Sequence, residues 1–289
     1  MSTSTFSKSL APPRSTNCLL SARQLRRATT ASHQHIPIGA DAHKAGDKDL
    51  RLPRNTLPAF DGIVASAPAV DLAGLGVGDH WPQVVMKAMG QYPKNCELAA
   101  ITEAFIKHCD GDDGLLDGIV TDPDSCDFDP HSVVNKSIDC QDTDSGTVKI
   151  SEAAINVAIA TWTGAQKSDG SFLWWGVKKG SSLVDGDTKL GVSPGLATTT
   201  CSGNGTCTGH TMEIVDAWIR LLIKKDPTFD VTTVTIEEFQ DLFQQSLDEY
   251  GSIINVKPNL DAFRDRWEAT IIPRSSRCYP PHGLFVKLL

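Results

Sequence analysis

The chain contains no apolar run that approaches the length of a bilayer crossing, so no membrane partner is expected. Nor does it carry an excess of positive charge. Lys and Arg number 27 against 35 Asp and Glu, a formal net charge of -8, and nothing in that balance points to a nucleic-acid partner. A charged n-region followed by a long apolar h-region is missing from the N-terminus, so the sequence offers no secretory signal. Acids are missing there as well. The first is Asp41, and residues 1–55, rich in Ser, Thr and Arg, have a composition that a transit peptide or out-of-frame coding sequence would both produce. The chain as a whole is ordinary folding material: 289 residues, 40% hydrophobic, enough for one large domain or two small ones.

One segment lacks positive charge altogether. From Cys109 to Pro130 there are eight aspartates and no lysine or arginine, with Cys109 and Cys126 near the two ends. Like charges at that density repel unless water or a cation screens them. Calcium takes six to eight oxygens in flexible geometry, and carboxylates, backbone carbonyls and turn glycines supply them. The spacing is not an EF-hand: counted from Asp110, the fifth position is Gly114 and the sixth Leu115, where an acid or amide and then glycine are needed. The residues instead suggest Asp110, Asp113 and Asp117 as side-chain ligands, with the carbonyls of Leu115 and Ile119 turned inward. Gly111, Gly114 and Gly118 give the chain freedom to curl. A solvated acidic loop is the competing reading. Leu115, Leu116, Ile119, Val120 and Phe128 speak against it, because such residues are expected to be buried.

The pattern C-D-x-x-D-G-x-x-D-G-x-I/V-x-D-P-x-x-C-x-F-D-P resembles the calcium loop of the tannase and feruloyl esterase family, secreted hydrolases of plant phenolic acid esters. The resemblance continues upstream in Phe60-Asp-Gly-Ile-Val-Ala-Ser-Ala-Pro-Ala69 and His80-Trp-Pro-Gln-Val-Val-Met86. Downstream it continues in Ile150-Ser-Glu-Ala-Ala154, Gly170-Ser-Phe-Leu-Trp-Trp-Gly176, Thr206-Cys-Thr-Gly209 and Asp261-Ala-Phe-Arg-Asp265. It spans residues 56 to about 265. The resemblance implies an α/β fold: an α/β-hydrolase core, incomplete in this chain, with an inserted, mainly helical calcium-binding lid domain. It implies Ca2+ as cofactor on Asp110, Asp113, Leu115, Asp117 and Ile119, and a Cys109–Cys126 bridge. It also implies a small-molecule phenolic ester as substrate and an extracellular location.

Eight cysteines, with the sequons Asn135-Lys-Ser and Asn204-Gly-Thr, favour an oxidising compartment. Cys201 and Cys207 are near enough for a local loop, and Cys96 with Cys140 is another option, but sequence does not fix connectivity. Leu98, Ile101, Phe105 and Ile106 form a helical stripe leading into the acidic loop, and Met212, Val215, Trp218, Ile219 and Leu222 form a second. Thr235-Ile-Glu-Glu238 reads as a capping box. It opens a helix with Phe239, Leu242, Phe243, Leu247 and Tyr250 on one face and Gly251 as its stop. Gly62 to Ala67 reads as a buried parallel strand. Trp174 and Trp175 suit either a phenolic cleft or, by preference, the core.

No serine nucleophile is recognisable. The single G-x-S-x-G, Gly191-Val-Ser-Pro-Gly195, puts Pro194 where an oxyanion hole needs a backbone N–H, so Ser193 is read as a loop serine. Ser66 lies inside the expected strand. The family's G-C-S-x-G-G-R-Q-G-L motif, set in register from Phe60-Asp61-Gly62, places His43 where the serine belongs, and only Gly46 and Leu50 match. If the codons for His35 to Leu57 are read two nucleotides later, the genetic code permits Gly-Cys-Ser-Gln-Gly-Gly-Arg-Gln-Gly-Leu in that register. Read one nucleotide later, Arg266 to Tyr279 permits Gly-Gly-Lys followed by His-Gly-Leu-Ala-Asp, which holds the family's triad aspartate. The family's histidine would lie beyond Leu289.

The expected organisation is therefore a non-family segment at 1–55, disordered or out of frame, and a partial hydrolase core at 56–95. A lid with the calcium loop occupies 96–255, then a truncated return to core 256–289. The expected function is a calcium-stabilised carboxylic ester hydrolase whose serine triad is missing from this chain through frame disruption or truncation, so no catalytic residue is assigned. A non-catalytic calcium-binding lid remnant is the alternative.

Overall fold

The computed structural model describes residues 69–140, 146–188, 191–193, 195–202 and 205–255, of which 186–188 and 191–193 are described as backbone only. The expected strand at 62–67, Ser66, His43, Cys18 and Cys278 lie outside the described residues.

Helix α1 (Leu72–Gly78) starts where the Asp71 carboxylate accepts the Gly74 N–H at 3.0 Å. Asp79 and His80 turn the chain into α2 (Trp81–Met89), where Pro82 sits in the first turn and Gly90, at φ 62°, closes the end in the left-handed region. Helix α3 (Asn95–Cys109) buries Leu98, Ile101 and Phe105, the stripe that its 3.6-residue period predicts. Buried Glu97 ties two helix starts together, accepting the N–H of Lys94 at 3.0 Å and of Ser151 at 2.8 Å. Ser151 in turn caps α4 (Glu152–Thr163).

Helix α5 (Glu213–Ala217) runs on as a π-helical turn at Trp218–Ile223 and buries Val215, Ile219 and Ile223. Helix α6 (Ile236–Ser246) continues likewise through Leu247–Gly251 into α7 (Ser252–Ile254). Two expectations change here. Thr235 does cap α6, accepting the Glu238 N–H at 3.2 Å, but Glu238 binds Lys224 at 2.5 Å instead of closing the box. Gly251 is not a stop, because its backbone stays helical.

All strand pairs among the described residues are antiparallel hairpins: β1 (Ser137–Asp139) with β2 (Thr147–Lys149), β3 (Gly186–Thr188) with β4 (Gly191–Ser193), and β5 (Thr199–Cys201) with β6 (Cys207–Gly209). Disulfides join Cys96 to Cys140, Cys109 to Cys126 and Cys201 to Cys207, with Cα separations of 5.5, 6.0 and 4.0 Å. The bridge implied by the family resemblance is present, and so are both pairings that the sequence left open.

Two apolar clusters hold this body. One surrounds α3 and α4 and reaches Val120, Cys126 and Phe128 at the far side of the acidic loop. Its Phe105 and Phe128 rings meet edge to face at 5.8 Å, and each such fully buried side chain contributes about 2–3 kcal/mol. The other cluster joins α1, α2, α5 and α6 through Val77, Trp81, Val84, Ile219 and Phe239. Trp174 is core, as preferred from sequence: a Cβ at Gly78 would collide with its indole, so only glycine permits that approach.

Because Val77, Trp81 and Val84 share a cluster with residues 215–243 and Met86 joins the other, packing shows no break between residues 95 and 96. The ends of the described body are also tied. Asn255 accepts the Ala73 N–H at 2.9 Å and donates to Asp71 at 2.6 Å, while Ser246 donates to the Ala73 carbonyl at 2.7 Å.

Candidate metal-binding site

The acidic loop leaves the end of α3 with its two sides stapled by Cys109–Cys126. Asp110, the C-cap residue, organises the turn beyond the helix. Its Oδ1 accepts the backbone N–H groups of Asp117 (3.2 Å), Gly118 (2.8 Å) and Ile119 (3.1 Å), curling the chain back on the helix end. Asp113 accepts from the Leu115 N–H at 2.9 Å and from the Thr121 hydroxyl, and Asp117 accepts from the Ile119 N–H at 3.0 Å. Gly114 and Gly118 take positive φ, 87° and 75°, which asks for glycine. Farther along, Asp124 pairs with Lys178, and Asp127 with His108 at 2.9 Å. The Thr121 hydroxyl and the Leu115 amide hold the Asp113 carboxyl below its usual range, and His108 does the same for Asp127.

Burial in the loop departs from the pattern expected of its apolar residues. Val120 and Phe128 are buried, but Leu115, Leu116 and Ile119 are 46%, 84% and 41% exposed. Leu115 and Leu116 lie in the turn that Asp110 closes by accepting the backbone N–H groups of residues 117–119. Three of the five residues expected to argue against a solvated loop therefore face water.

The predicted oxygen ligands are neighbours without being one tight cluster. The group of metal-type side chains with ligand atoms within reach of one another is Cys109, Asp112 and Cys126, whose sulfurs are spent in the disulfide; Asp110, Asp113 and Asp117 form no such group among the described residues. Oxygen donors do remain. Oδ2 of Asp110 and of Asp117, and the carbonyls of Leu115 and Ile119, accept no hydrogen bond among the described residues. These are hard oxygens of the kind calcium takes, so the donor chemistry fits, while Asp113 has both oxygens engaged.

For nucleophilic chemistry the described residues offer little. Ser193 ends hairpin strand β4, paired with Gly186, so its G-x-S-x-G is not a strand–turn–helix elbow. His108 and His131 face Asp127 and Glu152 at 2.9 and 3.7 Å on the surface, and among the described residues neither has a serine or threonine hydroxyl bonded to it. Trp175 is 38% exposed and lies 4.4 Å from Phe172, ring centre to ring centre.

Sequence reasoning missed the corner between α1 and α2. There Asp79 and His80 are both buried, and His80 Nε2 lies 3.0 Å from the Val231 carbonyl. Burial pushes the Asp79 carboxyl well up, and burial lowers His80 to about 4 against the opposing pull of Val231 and Asp216. Pro82 marked the helix start, but nothing local announced that the preceding pair would be covered.

The model of the tannase and feruloyl esterase family matches residues 56–272. The chain belongs to this family. A probable feruloyl esterase of Arthroderma benhamiae is 35% identical over 206 residues, 71% of this chain and 36% of that protein. A tannase of Aspergillus oryzae is 25% identical over 71% of this chain and 39% of its own length. Among solved structures, tannin acyl hydrolase from Aspergillus niger aligns with 80% of this chain and 41% of its own at a TM-score of 0.68 and 23% identity. Feruloyl esterase B from Aspergillus oryzae aligns at 0.53 and 20%. Fold and family thus agree, and the mixed helix and hairpin body is one that tannase and feruloyl esterase structures contain. The chain spans about a third of the length of the curated relatives it matches. No described helix is long and apolar enough to cross a membrane.

Proposed function

We propose that this polypeptide carries the calcium-stabilised lid portion of a tannase- or feruloyl esterase-type carboxylic ester hydrolase, and that this sequence holds no recognisable serine nucleophile. Family membership supports ester hydrolysis as the parent chemistry, with a phenolic acid ester as substrate. In such chemistry a serine attacks the ester carbonyl, a histidine moves the proton and an aspartate orients it.

The observation that carries the calcium reading is Asp110. One carboxylate oxygen gathers residues 117–119, while its other oxygen, Asp117 Oδ2 and the Leu115 and Ile119 carbonyls remain available in the same curl. Asp110, Asp117, Leu115 and Ile119 would hold the ion, with Asp113 joining if Thr121 releases it. Bound there, calcium supplies positive charge that screens the loop's carboxylates and fixes the end of α3. Three disulfides among the described residues favour an oxidising, extracellular location.

Thermal melts of the full chain with calcium and with chelator test the site. At a calcium concentration about 1,000 times Kd, linkage predicts about 4 kcal/mol of added stability; identical melts would remove calcium from the reading. Catalysis is tested separately, with methyl ferulate, a gallate ester and a fluorophosphonate probe. The expected result is no turnover and no labelling, and burst acylation would overturn it. Long-read sequencing of the transcript checks the frame-disruption reading. A continuous frame whose codons do not restore the Gly-Cys-Ser motif would exclude frame disruption.

A further inference from the structure

The three disulfides differ in what surrounds their sulfurs. Cys109 and Cys126 are buried, and a carboxylate oxygen of Asp112 lies within 4.8 Å of both sulfurs. Cys96 is half-buried, but its partner Cys140 is buried. Cys201 and Cys207 are both half-buried, which is true of no other bridge among the described residues. They face each other across the last pair of the β5–β6 hairpin. Beside them is a cation. Lys94, at the start of α3, places its ammonium 3.8 Å from Cys207 Sγ and 3.3 Å from the Gly205 carbonyl.

Charge at a disulfide governs how it opens. Exchange begins when a thiolate attacks one sulfur, and its rate rises with the stability of the thiolate that leaves and with access to the bond. An ammonium beside the leaving sulfur stabilises that anion, whereas a carboxylate destabilises it and repels the incoming thiolate. We infer that Cys201–Cys207 is a thiol–disulfide exchange site for an external dithiol, with Lys94 holding the departing Cys207 thiolate. The incoming thiolate forms a bond to Cys201 Sγ, the Cys201–Cys207 bond breaks, and its electron pair leaves on Cys207 Sγ. The second thiol of the dithiol then attacks its own sulfur in the mixed disulfide and releases Cys201. The dithiol is oxidised by two electrons, and its two protons end on Cys201 and Cys207.

The fold tolerates this opening because the root of the hairpin is held without the bridge. Asn95 donates to the Thr199 carbonyl and accepts the Thr199 N–H, both at 2.9 Å, and the Thr199 hydroxyl donates to the Pro93 carbonyl at 2.9 Å. Gln83, on α2, donates to the carbonyls of Thr198 and His210 at 3.1 Å on either side of the hairpin. Reduction therefore releases the outer end of the hairpin alone. None of the residues that carry out or withstand the exchange belongs to the acidic loop, so the inference stands or falls apart from the calcium reading.

Timed reduction of the folded full chain with dithiothreitol, quenched with N-ethylmaleimide and read by peptide mass spectrometry, tests it. Cys201 and Cys207 should be labelled first, about tenfold or more ahead of Cys109 and Cys126, with the far-UV circular dichroism unchanged. Lys94→Met removes the ammonium but keeps the backbone N–H that Glu97 accepts, and should slow opening of this bridge about threefold or more without slowing the other two. Lys94→Arg, which keeps the charge, should restore most of the rate, a result that exposure alone would not give. Glutathione, a monothiol, fixes the direction of attack: it should be trapped on Cys201, with N-ethylmaleimide on Cys207. Labelling of Cys201 and Cys207 no faster than of Cys109 and Cys126, a rate indifferent to Lys94→Met, glutathione trapped on Cys207, or loss of helical signal when this bridge alone is reduced would overturn the inference.

Discussion

The acidic loop and the α1–α2 corner treat aspartate in opposite ways. Asp110 stands at the loop's neck and accepts three backbone N–H groups. Asp79 is 7% exposed and accepts no hydrogen bond among the described residues. Donors favour the anion and burial favours the neutral acid, so the loop depends on charged carboxylates and the corner on uncharged groups. Order in the loop is held by bonds and a disulfide, and order in the corner by packing against Trp174 and Val231.

The largest effects should come from removing what each region depends on. For the loop, a Cys109→Ser, Cys126→Ser double variant frees a span with a sequence separation of 17, and should lower unfolding free energy by about 3 kcal/mol in a denaturant titration. Loss of well under 1 kcal/mol would show that Asp110 and packing around Phe128 hold the loop without the bridge.

In the corner the matching experiment is a change of pH. His80 is lowered in the folded state from 6.5 to about 4, so the unfolded chain binds the proton first. Its contribution is fully present above pH 6.5 and is lost as pH falls toward 4, an effect of about 3 kcal/mol. Stability of the native chain relative to His80→Gln should fall by that order across the window. Asp79 has the opposite sign. Its pKa is raised, so its burial is harmless below the ordinary value of 3.8 and costs stability as pH rises through the folded value. Asp79→Asn should therefore raise the melting temperature at pH 7 and leave it unchanged near pH 3. A pH-independent gain would assign the effect to packing.

Asp110→Ala comes next, at about 2 kcal/mol, because three backbone N–H groups lose their acceptor but water can reach the loop. The same variant should lose the melting shift between calcium and chelator. Retention of that shift would move the ion away from Asp110.

What the sequence disclosed tracks the range of the forces involved. The stripe Leu98, Ile101, Phe105 and the cap Thr235 are set by residues a few positions apart, and both are where the periodicity and capping rules put them. Glu238 was misassigned because its partner, Lys224, comes from another helix. Asp79 and His80 escaped notice because Trp174 and Val231, which cover that corner, lie about a hundred residues or more away. The ligands expected in the acidic loop were read from its residues and its motif; the structure shows the curl around Asp110 but does not gather Asp110, Asp113 and Asp117 into one group. The apolar letters in that loop misled, since a short run of leucine and isoleucine looks alike whether it faces a core or water.

Among those apolar residues Leu116 should give the smallest effect. It is 84% exposed, and the bonds that shape the loop run through Asp110, Asp113 and Asp117, not through apolar contact. Leu116→Ser should change unfolding free energy by no more than about 0.5 kcal/mol. It should also leave the calcium-dependent shift intact. A loss several times larger would mean that Leu116 is covered in the folded protein, and the contrast between a loop held by polar bonds and a corner held by packing would no longer hold.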